Sequence, residues 1–268
     1  MNGKEARLRR LFHHLEGRLL IVPLDHSVSD GPITGNEEYE SLIKDITSCG
    51  ADAIVVHKGR LKQLPAQAFV NSSIIVQLSA STRYARDPNE KVLVCSVEDA
   101  LMRGADGITV HVNVGSNSEP EQLEDIARIA DVCDRLGVPL LAMMYARGPG
   151  IEEAPRLQAI AHAGSLAADL GADLAKLALP ADVDDVHWIV SRCPLPVVAS
   201  GGPKTDESEF LRYAEAVIQG GAIGLAVGRN VFQSKHPGGL VANLRRRIDG
   251  ASTRGPSSTT REAVAAAG

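Results

Sequence analysis

Two patterns of hydrophobic and polar positions alternate along the 268-residue chain. Short apolar, β-branched runs bounded by turn residues recur at Leu19–Leu24, Ala53–Val56, Ile74–Leu78, Gly107–Val112, Leu140–Tyr145, Leu174–Leu179, Val197–Ser200 and Ile223–Val227. Several are apolar at nearly every position, as strands buried on both faces require. Between them, Glu37–Cys49, Glu121–Leu136, Arg156–Leu170 and Glu207–Gln219 carry apolar residues at helical spacing. Gly50-Ala51, Gly104-Ala105, Gly137-Val138, Gly171-Ala172 and Gly221-Ala222 close most helical segments, which is glycine at the helix C′ position feeding the next strand.

Strands and helices alternating in this way predict an α/β protein of the (β/α)8 barrel class, a single domain over residues 1–250. A doubly wound open sheet would need a GxGxxG turn after its first strand, and none follows Leu24. Glu5–Leu15 reads as an extra helix placed to cover the barrel's bottom. The Ser/Thr/Gly/Ala-rich stretch 251–268 reads as a disordered tail.

Composition narrows the partners. A net charge of −5 with 23% charged residues argues against nucleic-acid binding, which shows a basic excess. No apolar run approaches the roughly 18–20 residues of a membrane span. The mixed charges of Lys4, Glu5, Arg7, Arg9 and Arg10 precede no signal-type apolar core. Cys49, Cys95, Cys133 and Cys193 stand far apart, without CxxC spacing, and read as free thiols in a reducing cytosol. The expectation is a soluble cytoplasmic protein with no metal site.

A barrel carries its chemistry at the C-terminal ends of its strands. Those ends offer Asp25-His26, His57-Lys58, Ser79, His111, Tyr145 with Arg147, Lys176, Ser200-Gly201-Gly202 and Gly228-Arg229. Lys176 is the most informative of these. The chain has eight lysines, and this one lies inside an apolar strand, where period-two alternation puts it on one face with Leu174 and Ala178. Pointing into the barrel, it is desolvated, which favours the neutral amine that can attack a ketone and form a Schiff base. The bland alternative is a lysine snorkelling or paired with an interior carboxylate.

Such an enzyme needs a proton-moving group. Tyr145 ends the neighbouring strand, either as that group or as a core aromatic with its hydroxyl at the wet edge. Asp25 either steadies a cationic iminium or caps the following turn. Gly201-Gly202 and Gly228-Arg229 end the last two strands, where barrels commonly hold a phosphate, although glycines also simply form turns.

The same residues carry a family resemblance. Pro23-Leu-Asp-His-Ser-Val-Ser-Asp-Gly-Pro32, Val56-His-Lys-Gly59, Leu78-Ser-Ala-Ser-Thr82 and His111-Val-Asn-Val-Gly115 fit one pattern. Leu141-Ala-Met-Met-Tyr-Ala-Arg-Gly148, Ser200-Gly-Gly-Pro-Lys204 and Val227-Gly-Arg-Asn-Val-Phe-Gln233 complete it. Over residues 7–249 the chain resembles the archaeal-type class I aldolases, most of all the branch that uses L-aspartate semialdehyde as acceptor. The features that lean that way are the His26/Val28/Gly31-Pro32 form, the His57-Lys-Gly59 run, and Met143 where fructose-bisphosphate members typically place tryptophan. Pro23-Leu-Asp-His and Ser79-Ala-Ser-Thr-Arg83-Tyr84 look most like members that take dihydroxyacetone phosphate as donor.

The resemblance implies Lys176 as the Schiff-base lysine, Tyr145 as proton donor and Asp25 as catalytic carboxylate. It implies substrate and phosphate contacts at His26, Ser27, Val28, Ser29, Ala146, Arg147, Gly201, Gly202, Gly228 and Arg229. It further implies a lyase with no cofactor, small phosphorylated-ketone and aldehyde substrates, and a ring-shaped homo-oligomer, possibly a decamer. A heptulosonate synthase and a fructose-bisphosphate aldolase are the alternative activities. Two departures stand out. The usual Tyr-Pro-Arg-Gly reads Tyr145-Ala-Arg-Gly148, which is expected to loosen the loop beside the acid. Leu177-Ala-Leu-Pro180 lacks the family's polar or aromatic residues after the lysine.

Overall fold

A computed structural model describes residues 3–12 and 17–251. The strands, in chain order, are β1 (Leu19–Pro23), β2 (Ala53–Val56), β3 (Ser73–Gln77), β4 (Ser79–Ala80), β5 (Val92–Leu93) and β6 (Gly107–Val114). They continue with β7 (Leu140–Ala146), β8 (Leu174–Leu177), β9 (Val197–Ser200) and β10 (Gly224–Ala226). All but β4 and β5 close into one parallel barrel in the order β1-β10-β9-β8-β7-β6-β3-β2. The predicted (β/α)8 class is therefore the observed one, and each of the eight expected strands is a barrel strand. β4 and β5 form a small antiparallel ribbon in the loop between β3 and β6. The sequence reading did not foresee it, because two-residue strands carry no measurable periodicity.

Strand alternation sorts the apolar residues into two cores. Leu20, Val22, Ile54, Val56, Ile108, Val110, Ala175 and Leu177 belong to the layer beneath the surrounding helices. Leu19, Ile21, Ala53, Val55, Ile75, Leu141, Met143, Leu174 and Val198 fill the barrel itself. The first helix runs over Gly3–Leu11, and Leu8, Leu11 and Phe12 join the interior cluster, which plugs the bottom as expected. The remainder of the expected first helix, residues 13–16, and the tail beyond residue 251 lie outside the described residues.

The helix-ending glycines Gly50, Gly104, Gly137, Gly171 and Gly221 all have φ between 62° and 109°, a region that other residues rarely occupy. Three of them open a Gly-Ala-Asp run, and the aspartate has its own task. Asp52, Asp106 and Asp173 each accept a backbone N–H across the barrel bottom, from Leu20 (2.7 Å), Ile74 (2.9 Å) and Leu140 (2.8 Å). Each also meets a cation: Arg245 at 2.8 Å, Arg10 at 3.0 Å and Lys4 at 3.0 Å. Buried carboxylates need such compensation. The same contacts fasten the first and last helices to the bottom of the barrel, which leaves the opposite end for chemistry.

Candidate active site

Lys176 sits in the middle of β8, 5% exposed, inside the barrel. Register pairs it with Met143 on β7, and the Met143 Sδ lies 3.9 Å from its Nζ. Among the described residues no carboxylate reaches ion-pair distance of that amine, so the interior ion-pair alternative is not what the barrel builds. Lys176 faces a cavity of about 320 Å³ at the C-terminal end of the barrel, together with Asp25, His26, Ser29, Tyr145, Arg147 and Arg229.

Asp25 follows β1 at the N-cap position of the short helix His26–Ser29, yet its side chain makes no capping bond. It turns inward, within 3.5 Å of the Gln77 amide nitrogen and 3.3 Å of His26 Nδ1. Burial opposes its charge, but His26, and behind it Lys176 and His57, hold the carboxyl well below the ordinary range. Asp25 is thus an ionised group aimed at the cavity.

The Tyr145 ring is flanked by two neighbours. The His111 ring lies 4.7 Å away, and the Arg147 guanidinium sits 4.3 Å from the ring centroid. His111 comes from β6, one strand over. Burial, helped by the Lys91 charge, pushes it down to about 3, so it is neutral at physiological pH. Asn113 Nδ2 donates to Asn89 O at 2.9 Å, which turns Asn113 Oδ1 toward His111 Nε2, also at 2.9 Å. That assignment puts the His111 ring proton on Nε2. The Tyr145-Ala146-Arg147 loop is not slack in the absence of proline. β7 runs on through Ala146, paired with Val114, and Arg147 N donates to Val114 O at 2.9 Å. A side chain on Gly148 (φ 132°) would strike Gly115 O, so this turn packs directly on the next one.

Gly201, Gly202, Arg147 and Arg229 line an adjoining cavity of about 680 Å³, together with Arg156, Arg212 and Glu209. Arg147 and Arg229 border both cavities, and the Arg229 Nε is buried without a hydrogen-bond partner. A buried unpaired guanidinium nitrogen is costly until an anion supplies the acceptor. The Gly201 N–H is taken by Ala226 O at 3.0 Å. Asn230, which sequence reasoning passed over, fixes the two loops together. It donates to Gly201 O (2.9 Å) and Pro203 O (3.0 Å) and accepts from Thr205 N (3.0 Å).

The remaining expected residues take other places. Val28 lines a small recess beside Asp25 and His57. Gly228 lies against the His26 ring, where a Cβ would come within 2.5 Å of Cε1. Ser27 and Ala146 line none of these cavities, and Lys58 points away toward Asp99, at 3.9 Å. Conversely, Ser81, Thr82, Arg83, Asn89 and Lys91 line the central cavity, although sequence reasoning singled out none of them beyond the resemblance of the Ser79–Tyr84 run. They sit on an aperiodic loop, and nothing local marks where such a loop folds. Among the described residues there is no cluster of three or more His, Cys, Asp or Glu side chains that could hold a metal.

The model of the DeoC/LacD family aldolases matches residues 19–234. The chain belongs to the DeoC/LacD aldolase family. It is 46% identical over 266 residues to the 2-amino-4,5-dihydroxy-6-oxo-7-(phosphonooxy)heptanoate synthase of Streptomyces griseus, covering 99% of this chain and 97% of the relative. It is 40% identical to 2-amino-3,7-dideoxy-D-threo-hept-6-ulosonate synthase 1 of Archaeoglobus fulgidus, covering 93% and 92%. An archaeal fructose-1,6-bisphosphate aldolase, solved with its catalytic lysine covalently bound to the carbinolamine intermediate, superposes with a TM-score of 0.83 at 28% identity. That match covers 93% of this chain and 100% of the aldolase. The chain is accordingly a lyase of the class I, Schiff-base type. Among the described residues no helix is long and apolar enough to cross a membrane.

Proposed function

We propose that this aldolase condenses dihydroxyacetone phosphate with L-aspartate semialdehyde to give 2-amino-4,5-dihydroxy-6-oxo-7-(phosphonooxy)heptanoate. The observation that carries the reading is the meeting, in one cavity, of a buried lysine without an ion-paired carboxylate, an ionised aspartate, a tyrosine and three arginines. The extent of similarity to the heptanoate synthase supports the choice of substrates.

In this mechanism Lys176 Nζ adds to the donor ketone and expels water, which leaves an iminium. The Asp25 carboxylate steadies the positive charge. Tyr145 moves the proton between the donor's hydroxymethyl carbon and the developing aldol oxygen. The resulting enamine carbon attacks the aldehyde carbon, and the new alkoxide takes up a proton. Water then hydrolyses the iminium and releases Lys176. Arg229 and the Gly201-Gly202 loop hold the donor phosphate throughout, with His26 and Ser29 beside the reacting carbons.

An acceptor panel tests the substrate choice. Dihydroxyacetone phosphate is offered with aspartate semialdehyde, glyceraldehyde 3-phosphate or glyceraldehyde, and products are identified by mass. The seven-carbon amino acid phosphate should form with the highest kcat/KM, and a preference for fructose bisphosphate overturns the reading. The same reading includes a cytoplasmic location and a ring-shaped homo-oligomer. Exposed Tyr84, Val92 and Val94 around β5 supply apolar surface for such contacts. A monomer in light scattering removes the ring without touching the chemistry.

A further inference from the structure

The barrel order sets a constraint on where the two substrates lie. Gly201-Gly202 and Gly228-Arg229 follow β9 and β10, whereas β3 and β6 stand across the barrel from that pair. The loop joining β3 to β6 carries Ser81, Thr82, Arg83, Asn89 and Lys91 into the central cavity. With the donor phosphate on the β9 and β10 side, the aldehyde must approach the enamine from this opposite loop.

The charges there are specific. Arg83 donates to the backbone carbonyl of Asp30, and its own N–H donates to Ser29 O at 3.0 Å, which docks the loop on the residues after β1. Lys91 Nζ donates to Pro88 O at 2.8 Å. Among the described residues neither cation has a carboxylate within ion-pair distance. Lys91 is partly buried, and it feels the repulsion of Arg147 as well as the pull of Asp87, Asp25 and Asp30. Asp30 lines the same cavity. With Asp25 engaged at the iminium, the two cations Arg83 and Lys91 and the carboxylate of Asp30 remain on this side of the cavity, and they suit a zwitterion better than a phosphate dianion, which Asp30 would repel.

We propose that Arg83 and Lys91 form the subsite for the carboxylate of an α-amino-acid aldehyde, and that Asp30 receives its ammonium group. This assignment rests on the aldolase reading above and names the residues that recognise the amino-acid end of its acceptor. Arg83 and Lys91 set specificity and take no part in bond making.

Three aldehydes separate the groups: aspartate semialdehyde, succinate semialdehyde (the same carboxylate without the ammonium) and uncharged glyceraldehyde. In Arg83→Gln and Lys91→Gln, kcat/KM for both carboxylate aldehydes relative to glyceraldehyde should fall roughly 10- to 100-fold, through KM. Asp30→Asn should instead erase the preference for aspartate semialdehyde over succinate semialdehyde. Exchange of the donor's carbon-bound hydrogen in deuterated water reports the first half of the reaction and is expected to persist, which shows that the variants fold. Equal loss for all three aldehydes, or no change in their ratios, overturns the subsite. A wild-type enzyme that favours glyceraldehyde 3-phosphate over aspartate semialdehyde overturns the substrate reading instead, and the wild-type panel alone reveals it.

Discussion

Met143 faces Lys176 across the β7–β8 ladder, its thioether sulfur 3.9 Å from the amine. A soft, apolar neighbour at this register position packs the lysine without giving it a counter-ion. The lysine is thereby positioned without an ion-pair partner. That relationship, more than burial alone, suits the residue to attack a ketone.

Met143→Leu keeps the volume and should cost less than about 1.5 kcal/mol of stability while borohydride still traps the donor on the enzyme. Met143→Glu introduces a carboxylate that can hold the Lys176 ammonium as an ion pair, and trapping should slow by about 10- to 1,000-fold. Adduct formation followed by mass spectrometry reads both variants. Unimpaired trapping in Met143→Glu would show that the sulfur contact is incidental.

Lys176 and Tyr145 should fail differently. Lys176→Met removes the amine and should abolish both trapping and turnover, with the wild-type adduct mapping to the Lys176 peptide. Tyr145→Phe retains the ring against His111 and Arg147 and loses only the hydroxyl. Trapping should survive while turnover falls about 10²–10⁴-fold. Normal turnover in Tyr145→Phe returns that residue to the packing role and passes the acid/base work elsewhere.

The unpartnered Nε of Arg229 predicts a phosphate contact. Arg229→Ala should raise the donor's KM by about 10- to 100-fold, the range of a charge-assisted hydrogen bond, with little change in the acceptor's KM. Steady-state kinetics at saturating acceptor decides this. A variant that loses stability but keeps its donor KM would mark Arg229 as structural. Chelators should leave activity unchanged, and inactivation by EDTA would contradict the metal-free mechanism.

His111 gives the fold a pH dependence of defined sign. Held at about 3 in the folded protein and near 6.5 when unfolded, it binds its proton more readily in the unfolded chain between those values. Stability is therefore fully present above pH 6.5 and is lost as pH falls through that window, by up to about 1.4 kcal/mol per unit. His111→Gln should flatten the fall in urea midpoint between pH 7 and pH 5. An unchanged slope would mean that other groups dominate acid destabilisation.

The chain's own periodicity determined a good deal. Eight apolar runs specified a parallel barrel, because strands buried on both faces leave a signal at nearly every position. Period-two alternation put Lys176 inside, since a side chain two residues from Leu174 must share its face. Glycines at helix ends marked the turns, because positive φ is almost theirs alone.

Tertiary structure decided the rest. Which strand ends converge, and in what order around the cavity, follows from barrel closure and register, neither of which any single segment encodes. Met143 meets Lys176 only because β7 and β8 are staggered as they are. The Gly-Ala-Asp carboxylates find their partners 32 or 33 residues away, or on helices at the two ends of the chain. Asp25 looks like a helix cap in the sequence and becomes a half-buried anion only when His26 and Gln77 meet it and Lys176 faces the same cavity. Arg83 and Lys91 lie on a loop without periodicity, so only its docking against Ser29 and Asp30 brings them to the substrate. Local pattern fixes what a residue can face. Long-range packing, which no neighbouring residue reports, fixes what it meets.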